Sequence, residues 1–142
     1  MALIDTGVRT IAGKLPKVIS PKTHGILDYA TIGSFFVMGA VLMKNHKRAG
    51  IGSLICGAAQ LTTVLLTERP IGVANVLSLP THGKIDAGLS AAVGSMPNLL
   101  GFGDEWPAVF FRSEALNIAA VTGLTDFEDE RGERRNRRYR AA

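Results

Sequence analysis

Cysteine is nearly missing from this chain of 142 residues: Cys56 stands alone, so no intramolecular disulfide and no cysteine-rich metal cluster can form. Aromatic residues are sparse at 6%, against 46% hydrophobic residues overall and 16 glycines. A mixture weighted towards Leu, Ile, Val, Ala and Gly suits closely packed helices better than a sheet. Also absent are a serine nucleophile motif, a phosphate-binding glycine loop, an HExxH pair and a CxxC pair, which argues against an enzyme. Charge is missing from long stretches. Between Ala49 and Thr67 there is none, and between Gly25 and Met43 only Asp28. A soluble helix bundle needs a polar face on each helix at a 3.6-residue period, and these stretches have none to offer.

Four hydropathic segments are present, Gly25 to Met43, Ala49 to Thr67, Gly83 to Phe102 and Pro107 to Thr125. Each is about 20 residues long, or about 30 Å as a helix, the thickness of a bilayer's hydrocarbon core. The mean hydropathy of +0.20 is low for a membrane protein. The polar or amphipathic first 22 and last 17 residues dilute it. The fourth segment fits least well, because it carries Arg112 and Glu114; an arginine there can snorkel, whereas a glutamate facing lipid is costly.

THGILDY at 23–29 is answered by THGKIDA at 81–87. Shifting the chain by 58 places His24 on His82, Gly25 on Gly83 and Asp28 on Asp86, and it also places Leu66-Thr67-Glu68 on Leu124-Thr125-Asp126. Gapless identities at both ends of a unit are the mark of an internal duplication. The expectation is an all-α fold, a four-transmembrane-helix bundle of two tandem, parallel helical-hairpin repeats. Residues 23–68 form the first hairpin, 69–80 the connection, 81–126 the second hairpin and 127–142 a charged cytoplasmic tail. Residues 1–22, with Leu3, Ile4, Val8, Ile11, Leu15 and Val18 at helical spacing, read as an amphipathic interfacial helix that Pro16 and Pro21 end. The segment lacks the apolar run of a signal peptide and is expected to be retained.

In such a parallel repeat the two Thr-His-Gly motifs and the two helix ends at Thr67-Glu68 and Thr125-Asp126 lie near one membrane face. Twelve Lys and Arg residues fall on that side, six of them in the tail, against Lys44, Lys47 and Arg48 opposite. The excess puts both termini in the cytoplasm of a multi-pass protein of the cell (inner) membrane. Because the tail supplies most of the +4 net charge, the basic balance is no sign of a nucleic-acid partner. The expected company is the lipid bilayer, with a membrane protein partner or a second copy of the chain. The layout resembles that of small bacterial four-helix membrane proteins built from tandem hairpins, in architecture alone.

His24 and Asp28 share a helix face at i and i+4, as do His82 and Asp86. Carboxylates one turn inside a span are expected to face the bundle interior. One reading is structural: Thr23 and Thr81 cap the helices, and histidine bonds to Glu68 or Asp126 lock the hairpins of a non-catalytic module or assembly subunit. A second is a haem b site with His24 and His82 as axial ligands and Gly25 and Gly83 leaving room for the ring. A third is a divalent metal held by His24, Asp28, His82 and Asp86, with Glu68 and Asp126 as outer partners. Movement of protons or small ions past Asp28, Asp86 and Glu114 is a fourth. Cys56 reads as a small core residue, Pro97 as a packing feature of the third helix, and His46 in the KNHKR turn is assigned no role.

Overall fold

A computed structural model describes residues 15–127 and 139–141 of the chain. The expected interfacial helix falls mainly on residues 1–14, and the charged tail mainly on 128–138, outside the described residues. The described core is all-α, with four long helices: α1 (Pro21–Leu42), α2 (Lys47–Leu66), α3 (Leu79–Leu99) and α4 (Pro107–Leu124). No strand occurs among the described residues. Two isolated bridges, Ile19 with Thr125 and Thr67 with Leu77, are the only extended pairings there.

Local sequence chemistry explains where the helices start. Ser20 caps α1 by accepting from the Thr23 backbone N–H at 3.3 Å, and Ser78 caps α3 by accepting from that of Thr81 at 3.4 Å. The caps are therefore serines three residues ahead of the threonines expected from the sequence. A cap must precede the first helical residue, and the helices begin earlier, at Pro21 and Leu79. Proline at the first turn costs no hydrogen bond, so Pro21 opens α1 rather than closing a preceding helix.

α1 packs along α2 and α3 along α4 as two hairpins, and the hairpins stand parallel. Their starts meet through His24 and His82, and their tips meet through His46 and Trp106. The principal apolar core lies between the hairpins and towards the tips, around Phe35, Leu42, Cys56, Val93, Phe102, Phe111 and Ile118. Ile32, Val64, Ile71 and Leu79 form a smaller one beneath the connection between α2 and α3. Glycine is required where that connection folds back over the end of α2. A Cβ on Gly72 would collide with the carbonyl oxygens of Val64 and Thr67.

Contacts at the shared end come in matched pairs related by the 58-residue shift. Ile19 N–H donates to the Leu124 carbonyl at 3.0 Å, and Leu77 N–H to the Leu66 carbonyl at 2.9 Å. Asp126 N–H donates to the Ile19 carbonyl at 3.0 Å, and Glu68 N–H to the Leu77 carbonyl at 2.9 Å. Each hairpin thus ends on the segment that leads into the other.

Polarity is distributed unusually. His24, Asp28, Thr31, Ser53, Gln60, Thr67, His82, Asp86 and Thr125 are all buried. Val37 (66% exposed), Val41, Ile55, Val109 and Leu116 (72%) lie on the outside. α1 and α2 are each long and apolar enough to cross a membrane, with a mean hydropathy of 1.6 over their most apolar stretches.

Candidate metal centre

Four side chains converge at the shared end of the hairpins. His24 and His82 are each the fourth residue of their helix, and Asp28 and Asp86 sit one turn further in. Since α1 and α3 run the same way, the two His/Asp faces oppose each other across the bundle. The Nε2 atoms of His24 and His82 are 3.3 Å apart. Nε2 of His24 lies 3.1 Å from Oδ2 of both Asp28 and Asp86, and Nε2 of His82 lies 3.0 Å from the same two oxygens. Exposure is 0% for His24, His82 and Asp86 and 4% for Asp28. The structure therefore contains a buried His/Asp cluster of the composition and spacing that can hold a metal ion.

The far side of each imidazole is also held. Nδ1 of His24 meets Thr125 Oγ1 at 2.7 Å, and Nδ1 of His82 meets Thr67 Oγ1 at 2.8 Å. Thr67 and Thr125 follow directly on the last residues of α2 and α4, so each hairpin's closing threonine braces the other hairpin's histidine. The ring of Phe127 lies edge-on to His24, with centroids 5.2 Å apart. Below the site, the Gln60 amide points its nitrogen at Asp28 Oδ1 over 3.5 Å, at the limit of a hydrogen bond.

The residues singled out in the sequence divide into three groups. His24, Asp28, His82 and Asp86 share one centre. Glu68 and Asp126 lie at its rim, where Glu68 Oε1 accepts from the Leu79 backbone N–H at 3.0 Å and so ties the connection to α3. The histidine bonds expected to reach these two acids go instead to the threonines one residue earlier. Glu114 belongs to a different network: it accepts from Ser34 Oγ at 2.7 Å and from Asn117 Nδ2 at 3.3 Å, while Asn117 also donates to Thr31 Oγ1 at 2.9 Å. Arg112 donates to the Gly103 carbonyl at 3.1 Å, its head drawn back to the tip loop.

The space that Gly25 and Gly83 were expected to leave for a porphyrin is filled. A Cβ on Gly25 would meet Ile71 at 3.3 Å, and one on Gly83 would strike the Phe127 ring at 2.7 Å. With both carboxylates beside the 3.3 Å gap between the Nε2 atoms, no macrocycle fits between the histidines in this arrangement.

His46, assigned no role from the sequence, organises the opposite end. Its Nε2 accepts from the Trp106 indole at 3.0 Å, so its Nδ1–H donates to Glu105 Oε2 at 2.9 Å. Arg48 donates to the Leu100 carbonyl at 3.1 Å beside them. These bonds join the hairpin tips as the His/Asp cluster joins their starts. Neither His46 nor Trp106 has a counterpart under the 58-residue shift, so the signal that exposed the first cluster could not expose this one.

Comparison with protein-family models, with curated proteins and with solved structures finds no match.

Proposed function

We propose that the chain is a four-span membrane module, non-catalytic and produced by tandem duplication of a hairpin, in which one divalent cation held by His24, Asp28, His82 and Asp86 joins the two copies. The convergence of two imidazole nitrogens and two carboxylate oxygens, with five of the six separations between 3.0 and 3.3 Å, carries the reading. A tetrahedral ion with ligand bonds of about 2.0 Å sets its donors about 3.3 Å apart. The sixth separation, between the carboxylates, is within 4.8 Å and is the one that shortens on closure. A dication and two carboxylates also leave no net charge in the interior, which a low-dielectric surrounding favours. A site this closed suits a structural ion better than a catalytic one, which keeps a ligand position open.

Membrane residence is supported by the inverted distribution of polarity and by the two apolar helices. α3 and α4 are less apolar because Lys84, Asp86, Arg112 and Glu114 fall within them. In this reading Asp86 is consumed by the site, Glu114 is paired with Ser34, and Arg112 snorkels to the tip loop. The lysine and arginine asymmetry supports cytoplasmic termini, with the cation near the cytoplasmic face. Lipid is then the main partner, and nothing in the charge pattern calls for nucleic acid.

The same 3.0 to 3.1 Å contacts also suit imidazolium–carboxylate ion pairs, so a metal-free polar lock is the second reading. Metal analysis of detergent-purified protein after zinc loading and dialysis separates the two. One zinc per chain in the wild type and none above background in His82→Ala is expected. A wild type that retains no metal, and whose melting temperature ignores added zinc, overturns the metal reading in favour of the ion-pair lock.

A further inference from the structure

Thr67 and Thr125 each have one hydroxyl proton, and the structure accounts for both. Thr67 Oγ1 donates to the Thr63 carbonyl at 2.6 Å, and Thr125 Oγ1 donates to the Val121 carbonyl at 2.6 Å, each one helical turn back. With its proton committed, a hydroxyl can only accept from a second partner. That partner is His82 Nδ1 at 2.8 Å for Thr67 and His24 Nδ1 at 2.7 Å for Thr125. Both histidines therefore carry a proton on Nδ1, and in the neutral ring the lone pair is on Nε2, which faces the other three donors.

Resting on the metal reading of the cluster, the geometry points to Thr67 and Thr125 as positioning residues that set the histidine tautomer for a zinc-type, four-coordinate site with Nε2 ligation. The threonines touch no ligand position themselves. They act through the rings, in the way that an outer hydrogen bond orients a metal-binding imidazole. The two braces are crossed: α2 closes on the histidine of α3, and α4 on the histidine of α1. Each histidine is thus held in its ligating tautomer by the opposite hairpin once the two are docked. The donor set of two imidazoles and two carboxylates suits zinc, or cobalt as its stand-in. It is short of the six to eight oxygens that calcium takes and lacks the thiolates that copper(I) favours.

Two measurements test this on the full chain in detergent. In zinc-loaded protein with ¹⁵N-labelled histidine, imidazole correlation spectra are expected to show two rings protonated at Nδ1 and coordinated through Nε2. In competition titrations, Thr67→Val and Thr125→Val are each expected to weaken zinc binding about 10- to 100-fold, with Thr→Ser at either position restoring it to within a few-fold. The wild-type cobalt complex should show the intense visible bands of four-coordination, lost or displaced in the valine variants and recovered in the serine ones. If the wild type binds zinc with Nδ1 as ligand, or the valine variants bind and absorb as it does, the threonine assignment is overturned while the metal site stands. If the wild type binds neither zinc nor cobalt, the underlying site reading fails instead.

Discussion

His24 and His82 turn their Nε2 atoms towards each other across 3.3 Å, although 58 positions separate them in the chain. Each comes from the first turn of a helix in a different hairpin, and each is braced from behind by the threonine that closes the opposite hairpin. The site therefore exists only where the hairpins are docked, so an ion that bound it would be coupled to the docking.

That coupling predicts a stability effect. An ion that binds only the docked form, held at about 100 times its dissociation constant, stabilises that form by about 2.7 kcal/mol. Zinc should raise the thermal unfolding midpoint of the detergent-solubilised wild type, and a chelator should reverse the rise. Asp28→Asn and Asp86→Asn, which exchange a carboxylate for a weak ligand at nearly constant volume, should remove the response. An unfolding midpoint that responds equally in both variants would place the ion elsewhere.

Ser34 and Glu114 make a polar contact between the hairpins away from the His/Asp centre, at 2.7 Å between α1 and α4. In a membrane such a bond contributes on the order of 0.6 to 1.7 kcal/mol. A double-mutant cycle of Ser34→Ala and Glu114→Gln, read by unfolding in mixed micelles, should give a coupling in that range. Neither change should alter zinc stoichiometry, because neither residue touches the His/Asp centre. Loss of zinc in Glu114→Gln would make the two networks one.

Gly72 lies where the connection passes over the last carbonyls of α2. Gly72→Ala pushes a methyl group into backbone rather than into a yielding side chain, so the connection must lift. A loss of more than about 1 kcal/mol is expected. Since Ile71 packs over Gly25, next to His24 on α1, lifting the connection should also loosen the packing beside the site and speed zinc release in stopped-flow chelator experiments. A stable variant with unchanged release would show the connection to be more pliant than its contacts imply.

Topology gives a test independent of the metal. In a Cys56→Ala background, a cysteine at Asn45 should react with an impermeant maleimide added to whole cells. One at Asn136 should react only after permeabilisation. The reverse pattern would invert the protein and put the cluster at the outer face.

Much of this was readable in the residues. The four helices stand within a few residues of the four hydropathic segments, because apolar runs of about 20 residues with few charges favour a helix. The meeting of His24, Asp28, His82 and Asp86 was readable because the motif is written twice. The details that depend on where the helices begin and end, and on unrepeated residues, were not. Ser20 and Ser78 are themselves related by the 58-residue shift, but they stand three residues ahead of Thr23 and Thr81, and a helix start placed at Thr-His-Gly passes over them as caps. Thr67 and Thr125 were visible as repeated residues, but their hold on the histidines depends on how the helix ends cross. Ser34 with Glu114, and His46 with Glu105 and Trp106, join residues 80, 59 and 60 positions apart without any repeat to announce them.

X-ray absorption at the zinc edge on zinc-loaded, detergent-purified wild type reaches the central claim most directly. The account predicts four nitrogen and oxygen ligands at about 2.0 Å, with the outer-shell scattering of two imidazoles and no sulfur. A six-coordinate shell of light atoms at longer distance, or scattering from fewer than two imidazoles, would contradict it.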